Sequence, residues 1–143
     1  VCDGDLSNLK IDEIDLGIRK FFEKNLDILI FRRKDAPITV KILRADVLMS
    51  GERIMRRQDL VYILKKVADN YLIEISSNHY FRNKKAAFVN SSGTNFFKQQ
   101  KYGFFLGWWK DTKMYIEIFI KNNAIFKYNY LNQIIFFCKK ELK

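Results

Sequence analysis

Proline occurs once, at Pro37, histidine once, at His79, and glycine six times in a chain of 143 residues. With so few breakers there is no flexible linker, and the chain reads as a single compact domain over 1–143, large enough for one core and too small for two. A lone histidine excludes a multi-histidine zinc site, and two cysteines at opposite ends, Cys2 and Cys138, exclude the paired spacing of a structural one. No stretch approaches the roughly 20 apolar residues of a transmembrane segment, and no basic-then-apolar signal segment opens the chain. The Walker loop, the dinucleotide-binding glycine pattern and G-x-S-x-G are all missing. The chain also lacks an initiating Met, which suits a domain excised from a longer chain or a processed product.

What is present is the balance of a globular protein: 48% hydrophobic and 29% charged residues, with 13 Phe, 7 Tyr and 2 Trp to fill a core. The formal net charge is +10, from 26 Lys and Arg against 16 Asp and Glu. Such a field favours anionic partners: nucleic acid, acidic protein surfaces or anionic headgroups. A solvated surface rich in lysine gives the same count. Two widely spaced cysteines fit reduced thiols in an intracellular protein, with Cys138 as a small buried hydrophobe. A secreted domain closed by a Cys2–Cys138 disulfide is the alternative, and Asn90-Ser91-Ser92 fits a glycosylation acceptor.

Periodicity orders the elements. Ser7 is placed to cap a helix whose early turns carry Asp12, Glu13 and Asp15 and whose apolar stripe is Ile11, Ile14, Ile18, Phe21 and Phe22. Gly17 costs that helix about 1 kcal/mol against alanine and marks a place where it could break. Asp27 to Arg33 reads as a strand, Asp35-Ala36-Pro37 as a turn and Ile38 to Leu43 as the partner strand; Asp46 to Gly51 is ambiguous. Asp59 is placed to cap a second helix with Leu60, Ile63, Leu64 and Val67 on one face. Leu72 to Ser76 and Lys85 to Val89 read as strands around a polar turn at Ser77, Asn78 and His79, and Tyr102 to Trp109 as another. Met114 to Ile120 and Ala124 to Tyr130 form a hairpin about Asn122-Asn123, and Leu131 to Leu142 a C-terminal helix. The fold class expected is therefore α+β: a twisted, mainly antiparallel sheet with N-terminal, central and C-terminal helices packed on one face. The segment Asp59 to Asn83, a helix followed by a hairpin, resembles a winged helix with its wing; the strand-rich C-terminal half departs from that pattern.

Catalytic constellations are scarce. Cys138 with His79 is the one nucleophile–base pair available, and Cys138 falls on the apolar face of a helix. Asp3-Gly4-Asp5 offers oxygen ligands but not the twelve-residue calcium loop, and Asp12, Glu13 and Asp15 are explained by the helix dipole. Glu74 and Glu117 stand alone. No enzymatic activity, cofactor or metal is expected.

Cations interleaved with rings are the more suggestive feature, because a single-stranded nucleic acid needs charge for its phosphates and ring faces for its bases. The expected phosphate contacts are Arg32, Arg33, Arg53, Arg56, Arg57, Lys84 and Lys85, with Tyr80 or Phe81 to stack; Arg82, Lys98 and Lys101 also lie beside rings. Solvated neighbours of core rings give the same pattern. The hairpin gathers Tyr115, Phe119, Phe126, Tyr128 and Tyr130 on one face, which meets solvent, a partner or a second layer of the domain. The reading that follows is a non-enzymatic binding module for an anionic partner, foremost RNA or DNA, within a larger assembly. A protein–protein or self-association domain built on the aromatic hairpin, as a homo-oligomer or against an acidic protein surface, is the second.

Overall fold

The computed structural model describes residues 6–8, 10–34, 36, 40–41, 44–66, 73–95, 120, 130–138 and 140. It is a small α+β fold built on a three-stranded mixed sheet. In chain order the elements are β1 (Leu6–Ser7), α1 (Ile11–Glu23), β2 (Ile28–Arg33), α2 (Ala45–Leu48), β3 (Arg53–Met55), α3 (Arg57–Lys66), α4 (Ile73–Tyr80), β4 (Ala86–Ser91), β5 (Thr94–Asn95) and α5 (Tyr130–Cys138).

The sheet runs β3-β2-β4, with β3 antiparallel to β2 and β4 parallel to it. This corrects the expectation of a mainly antiparallel sheet with helices on one face. The reason lies in β2, where Ile28, Leu29, Ile30 and Phe31 are consecutive and all buried. A strand apolar at every position must be covered on both faces, the habit of parallel sheets, whereas a one-sided sheet alternates. Ile28 and Ile30 join Ala86 and Phe88 on one face, beneath α2, α3 and Phe81. Leu29 and Phe31 join Ala87 and Val89 on the other, beneath α1. Of the strand expected at Ile38 to Leu43, Val40 and Lys41 are helical, and the other four residues lie outside the described ones. Alternation over six residues is too short a pattern to separate a strand from a helical turn.

α1 is unbroken at Gly17. An added Cβ there would stand 2.5 Å from the Phe31 ring tip and 3.3 Å from Ile54 Cδ1. Gly17 is thus the point where the helix lies down on the sheet. That contact turns Phe21 and Gly17 inward and leaves Ile11, Ile18 and Phe22 exposed, so the expected stripe is only partly the buried face. Lys10 stands at the N-terminal boundary without a side-chain cap, and Ser7 belongs to β1 instead of capping. At the other end Asn25 takes φ 46°, the Leu26 N–H donates to Phe21 O at 2.9 Å and the Asn25 N–H to Phe22 O at 3.0 Å. This is a Schellman closure, with Leu26 packed in the same apolar cluster as Phe21.

The opposite layer is tied together by polar groups. Arg53, expected at the surface, is 2% exposed. Its Nε donates to Ser50 O (2.6 Å), one terminal nitrogen to Leu48 O (2.8 Å), and the other to Asn78 Oδ1 (2.8 Å) and Glu74 O (3.1 Å). Asn78 Nδ2 in turn donates to Leu48 O and to Gln133 Oε1. One guanidinium therefore closes the carbonyl end of α2, grips α4, and reaches α5 through Asn78.

α4 replaces the strand and turn expected over Leu72 to His79, and with it the wing of the winged-helix likeness. Its buried residues are Ile75, Ser76, Ser77 and Asn78. Ser77 Oγ bonds back to Ile73 O, and with three of these four buried residues polar the buried face is invisible to a hydrophobic period. The central helix starts at Arg57 rather than being capped by Asp59, and Leu64 faces outward. Of the expected hairpin, Ile120 is helical, Tyr130 opens α5, and the remaining residues lie outside the described ones. So do Cys2 and the strand expected at Tyr102 to Trp109. Asn90 sits inside β4 opposite Arg32, not in a loop.

Two further links hold the periphery. β1 pairs antiparallel with β5, and Glu13 of α1 accepts the Ser92 N–H and hydroxyl, each at 2.9 Å. Burial works to raise the Glu13 carboxyl, but the bonds from Ser92 and Ser91, with Lys10 nearby, outweigh it and hold it below the ordinary 4.5. The outer side of β4 donates its Phe88 N–H to Lys140 O at 2.9 Å. Among the described residues no helix is long and apolar enough to cross a membrane.

Candidate nucleic-acid interface

The sequence marks nine residues for nucleic-acid contact, and the fold separates them into three groups. Arg53 and Phe81 are interior, Phe81 fully so, and neither can meet a phosphate or a base. The short polar run Gly51-Glu52-Arg53 has the composition of a solvent-facing loop, so the burial of Arg53 does not show in the sequence. Phe81 follows the last turn of α4 and packs against Ile63 and Phe88 in the core.

The second group is partly committed. Arg32 bonds through Nε to the buried Asp46 carboxylate, and its guanidinium lies 5.9 Å from the Phe88 ring centroid, with Arg44 at 5.1 Å. Tyr80 donates its hydroxyl to Asp59 Oδ1 at 2.6 Å. Lys84 Nζ sits 3.7 Å over the Tyr80 ring and 3.6 Å from the same Asp59 oxygen. Desolvation acts to lower the Lys84 pKa, but Tyr80, Asp59 and Asp27 together raise it above 10.5. With Lys84 on one side and Phe81 edge-on at 4.8 Å, the Tyr80 ring has little face left for a base. Arg33 is half-buried at the end of β2.

The third group is exposed: Arg56, Arg57 and Lys85. Arg56 and Arg57 line a shallow cleft with Gln58 and Val61 at the start of α3. Farther along the same helix a pocket of about 220 Å³ opens between α3 and α4. Its walls are Tyr62 and Tyr80, its apolar floor Ile63, and its polar residues Lys66, Ser76, His79 and Arg82. Tyr62 is 45% exposed, meets Tyr80 at 5.2 Å with a 41° tilt, and carries Lys66 Nζ 4.6 Å over its ring. The two lie four residues apart on one helix face, a spacing that in the sequence is indistinguishable from a plain helical pattern.

Arg82 is held on the rim by its own turn. One of its terminal nitrogens lies 2.9 Å from His79 Nε2 and donates to His79 O at 3.0 Å. A guanidinium has only donors, so Nε2 accepts and the imidazole is neutral with its proton on Nδ1. Burial, and then the charge of Arg82, lower the His79 pKa below 6.5, in keeping with that tautomer. Among the described residues no carboxylate lines either cleft. Among the described residues no group of three or more His, Cys, Asp or Glu is arranged to hold a metal ion.

The residues proposed for self-association, Tyr115, Phe119, Phe126 and Tyr128, lie outside the described ones, and Tyr130 is helical rather than paired across a hairpin. No family model, curated protein or solved structure matches the chain.

Proposed function

We propose that the chain is a non-catalytic binding module for single-stranded nucleic acid, which lies along α3 with Tyr62 as its stacking ring. The observation that carries this reading is the two clefts along α3, lined among the described residues by Arg56, Arg57, Lys66 and Arg82 and by no carboxylate. Fixed cations neutralise phosphates, and an exposed ring takes a base at roughly 1–3 kcal/mol by truncation to alanine. Lys85 adds charge nearby in sequence. The arginines and rings that the fold has enclosed are scaffold.

Four phosphate contacts give a salt slope near 0.7 per contact for a single strand, so affinity should fall about 50-fold between 50 and 200 mM salt. Fluorescence anisotropy with uridine or thymidine oligomers, against a duplex of equal length, measures this. Tyr62→Ala should weaken single-strand binding by about 5- to 150-fold while lowering the unfolding free energy by no more than about 1.5 kcal/mol, the worth of its ring contact with Tyr80. Affinity indifferent to salt, or no retention of any oligomer at low salt, overturns the reading.

A further inference from the structure

We infer that the pocket between α3 and α4 receives a terminal phosphate monoester, so that the chain holds the phosphorylated end of a strand in preference to its interior. This rests on the nucleic-acid reading above and names the part of the ligand that the pocket selects.

The first argument is unused bonding capacity. Ser76 is 6% exposed, lines this pocket, and its hydroxyl has no hydrogen-bond partner. A buried hydroxyl left unpaired costs free energy that a ligand oxygen can recover. Lys66 and Arg82 stand on the same pocket, with no carboxylate among its described lining residues. Arg82 spends one terminal nitrogen on His79, which leaves the rest of its planar fork for bidentate contact with a phosphate. His79 is a positioning residue here: its neutral Nε2 holds the guanidinium over the opening.

The second argument is stoichiometry and size. An internal phosphodiester has one negative charge and two free oxygens; a terminal monoester carries about −1.5 to −2 and three acceptor oxygens. Three donor groups, the Ser76 hydroxyl, the Lys66 ammonium and the Arg82 guanidinium, match the monoester. A volume of about 220 Å³ admits that group with part of its sugar and not a run of nucleotides. Ser76 lies deep among the lining residues, so the strand has to enter by its end. Tyr62 then stands where the terminal base can stack.

The test uses the full chain and three ten-nucleotide thymidine strands: with a 5′ phosphate, with a 3′ phosphate, and with hydroxyls at both ends. One phosphorylated strand should bind at least about ten-fold more tightly than the unphosphorylated one. Ser76→Ala should abolish that preference without changing affinity for the unphosphorylated strand, since the hydroxyl has no partner to lose. Thymidine monophosphate should compete for the phosphorylated strand better than inorganic phosphate does, which separates a strand end from the free ion. Equal affinity for all three strands, each still salt-dependent, overturns the end preference and leaves the single-strand reading standing. Phosphate or thymidine monophosphate bound with no strand retained overturns both.

Discussion

The two faces of the central sheet are built on different principles. The face beneath α1 is held by an apolar cluster of Phe21, Leu26, Leu29, Phe31, Ala87 and Val89, closed by the contact of Gly17 with Phe31. The face beneath α2, α4 and α5 combines an apolar cluster with Arg53, Asp46, Asn78 and Gln133, all buried. Apolar packing is non-directional and accepts any side chain of the right volume. A buried guanidinium with four acceptors accepts only itself, because each partner left behind is a desolvated polar group. Position on the sheet thus decides what an arginine does. Arg53 holds helices together, while Arg56 and Arg57, on the next few residues, line an open cleft.

The sharpest way to break this comparison is a pair of volume-conserving changes. Arg53→Met should cost at least about 3 kcal/mol, since several charge-assisted bonds of about 1.5–3 kcal/mol each are lost. Against a total stability of roughly 5–15 kcal/mol that is enough to depress the urea midpoint severely. A loss below about 1 kcal/mol would show the two faces to be alike. Gly17→Ala gains up to about 1 kcal/mol of helix propensity but forces the Phe31 ring aside, and overpacking costs roughly 1–3 kcal/mol. The net expected is a loss of about 1 kcal/mol, relieved when Phe31→Leu is added; stabilisation by the single change would place α1 farther from the sheet. Leu29→Met, on the same face, should stay within about 1.5 kcal/mol.

Acid should distinguish the two sides by order rather than size. His79 has a folded pKa below its ordinary 6.5, so the stability it lends is present above that value and lost as pH falls through the folded pKa. Glu13 behaves likewise about its ordinary 4.5. The α4 side should therefore weaken first on acidification. His79→Gln should remove the upper part of the acid limb and Glu13→Gln the lower, read from stability at a series of pH values. One limb unaffected by either change would sink this ordering.

The parts of the fold legible beforehand are those driven by apolar periodicity. α1, β2, β4 and the C-terminal helix follow from apolar patterns such as the stripe of α1 and the run Ile28 to Phe31. The sense of pairing was not legible, because Ile38 to Leu43 alternates as well as any strand and lies closer to β2 than β4 does. α4 was hidden because its buried residues include the polar Ser76, Ser77 and Asn78, of which Ser77 bonds inside the helix and Asn78 across the core. The candidate interface was half legible: the basic residues around Arg56 and Lys84 stand out by composition. Which cations are consumed by Asp46 and Asp59, and that Tyr62 stays exposed where Phe81 is buried, depends on helices meeting across the chain.

Parallel pairing of β2 with β4 also sets a schedule for the newborn chain. Asp27 and Lys85, which begin the pairing, are 58 residues apart. At about 5–20 residues per second, a ribosome needs roughly 3–12 s to deliver the second strand after the first. Throughout that interval Ile28 to Phe31 have emerged with one edge unanswered, a sticky template for any neighbouring polypeptide. Slowing translation between these strands should increase capture by chaperones, and moving the β4 segment earlier by circular permutation should relieve it.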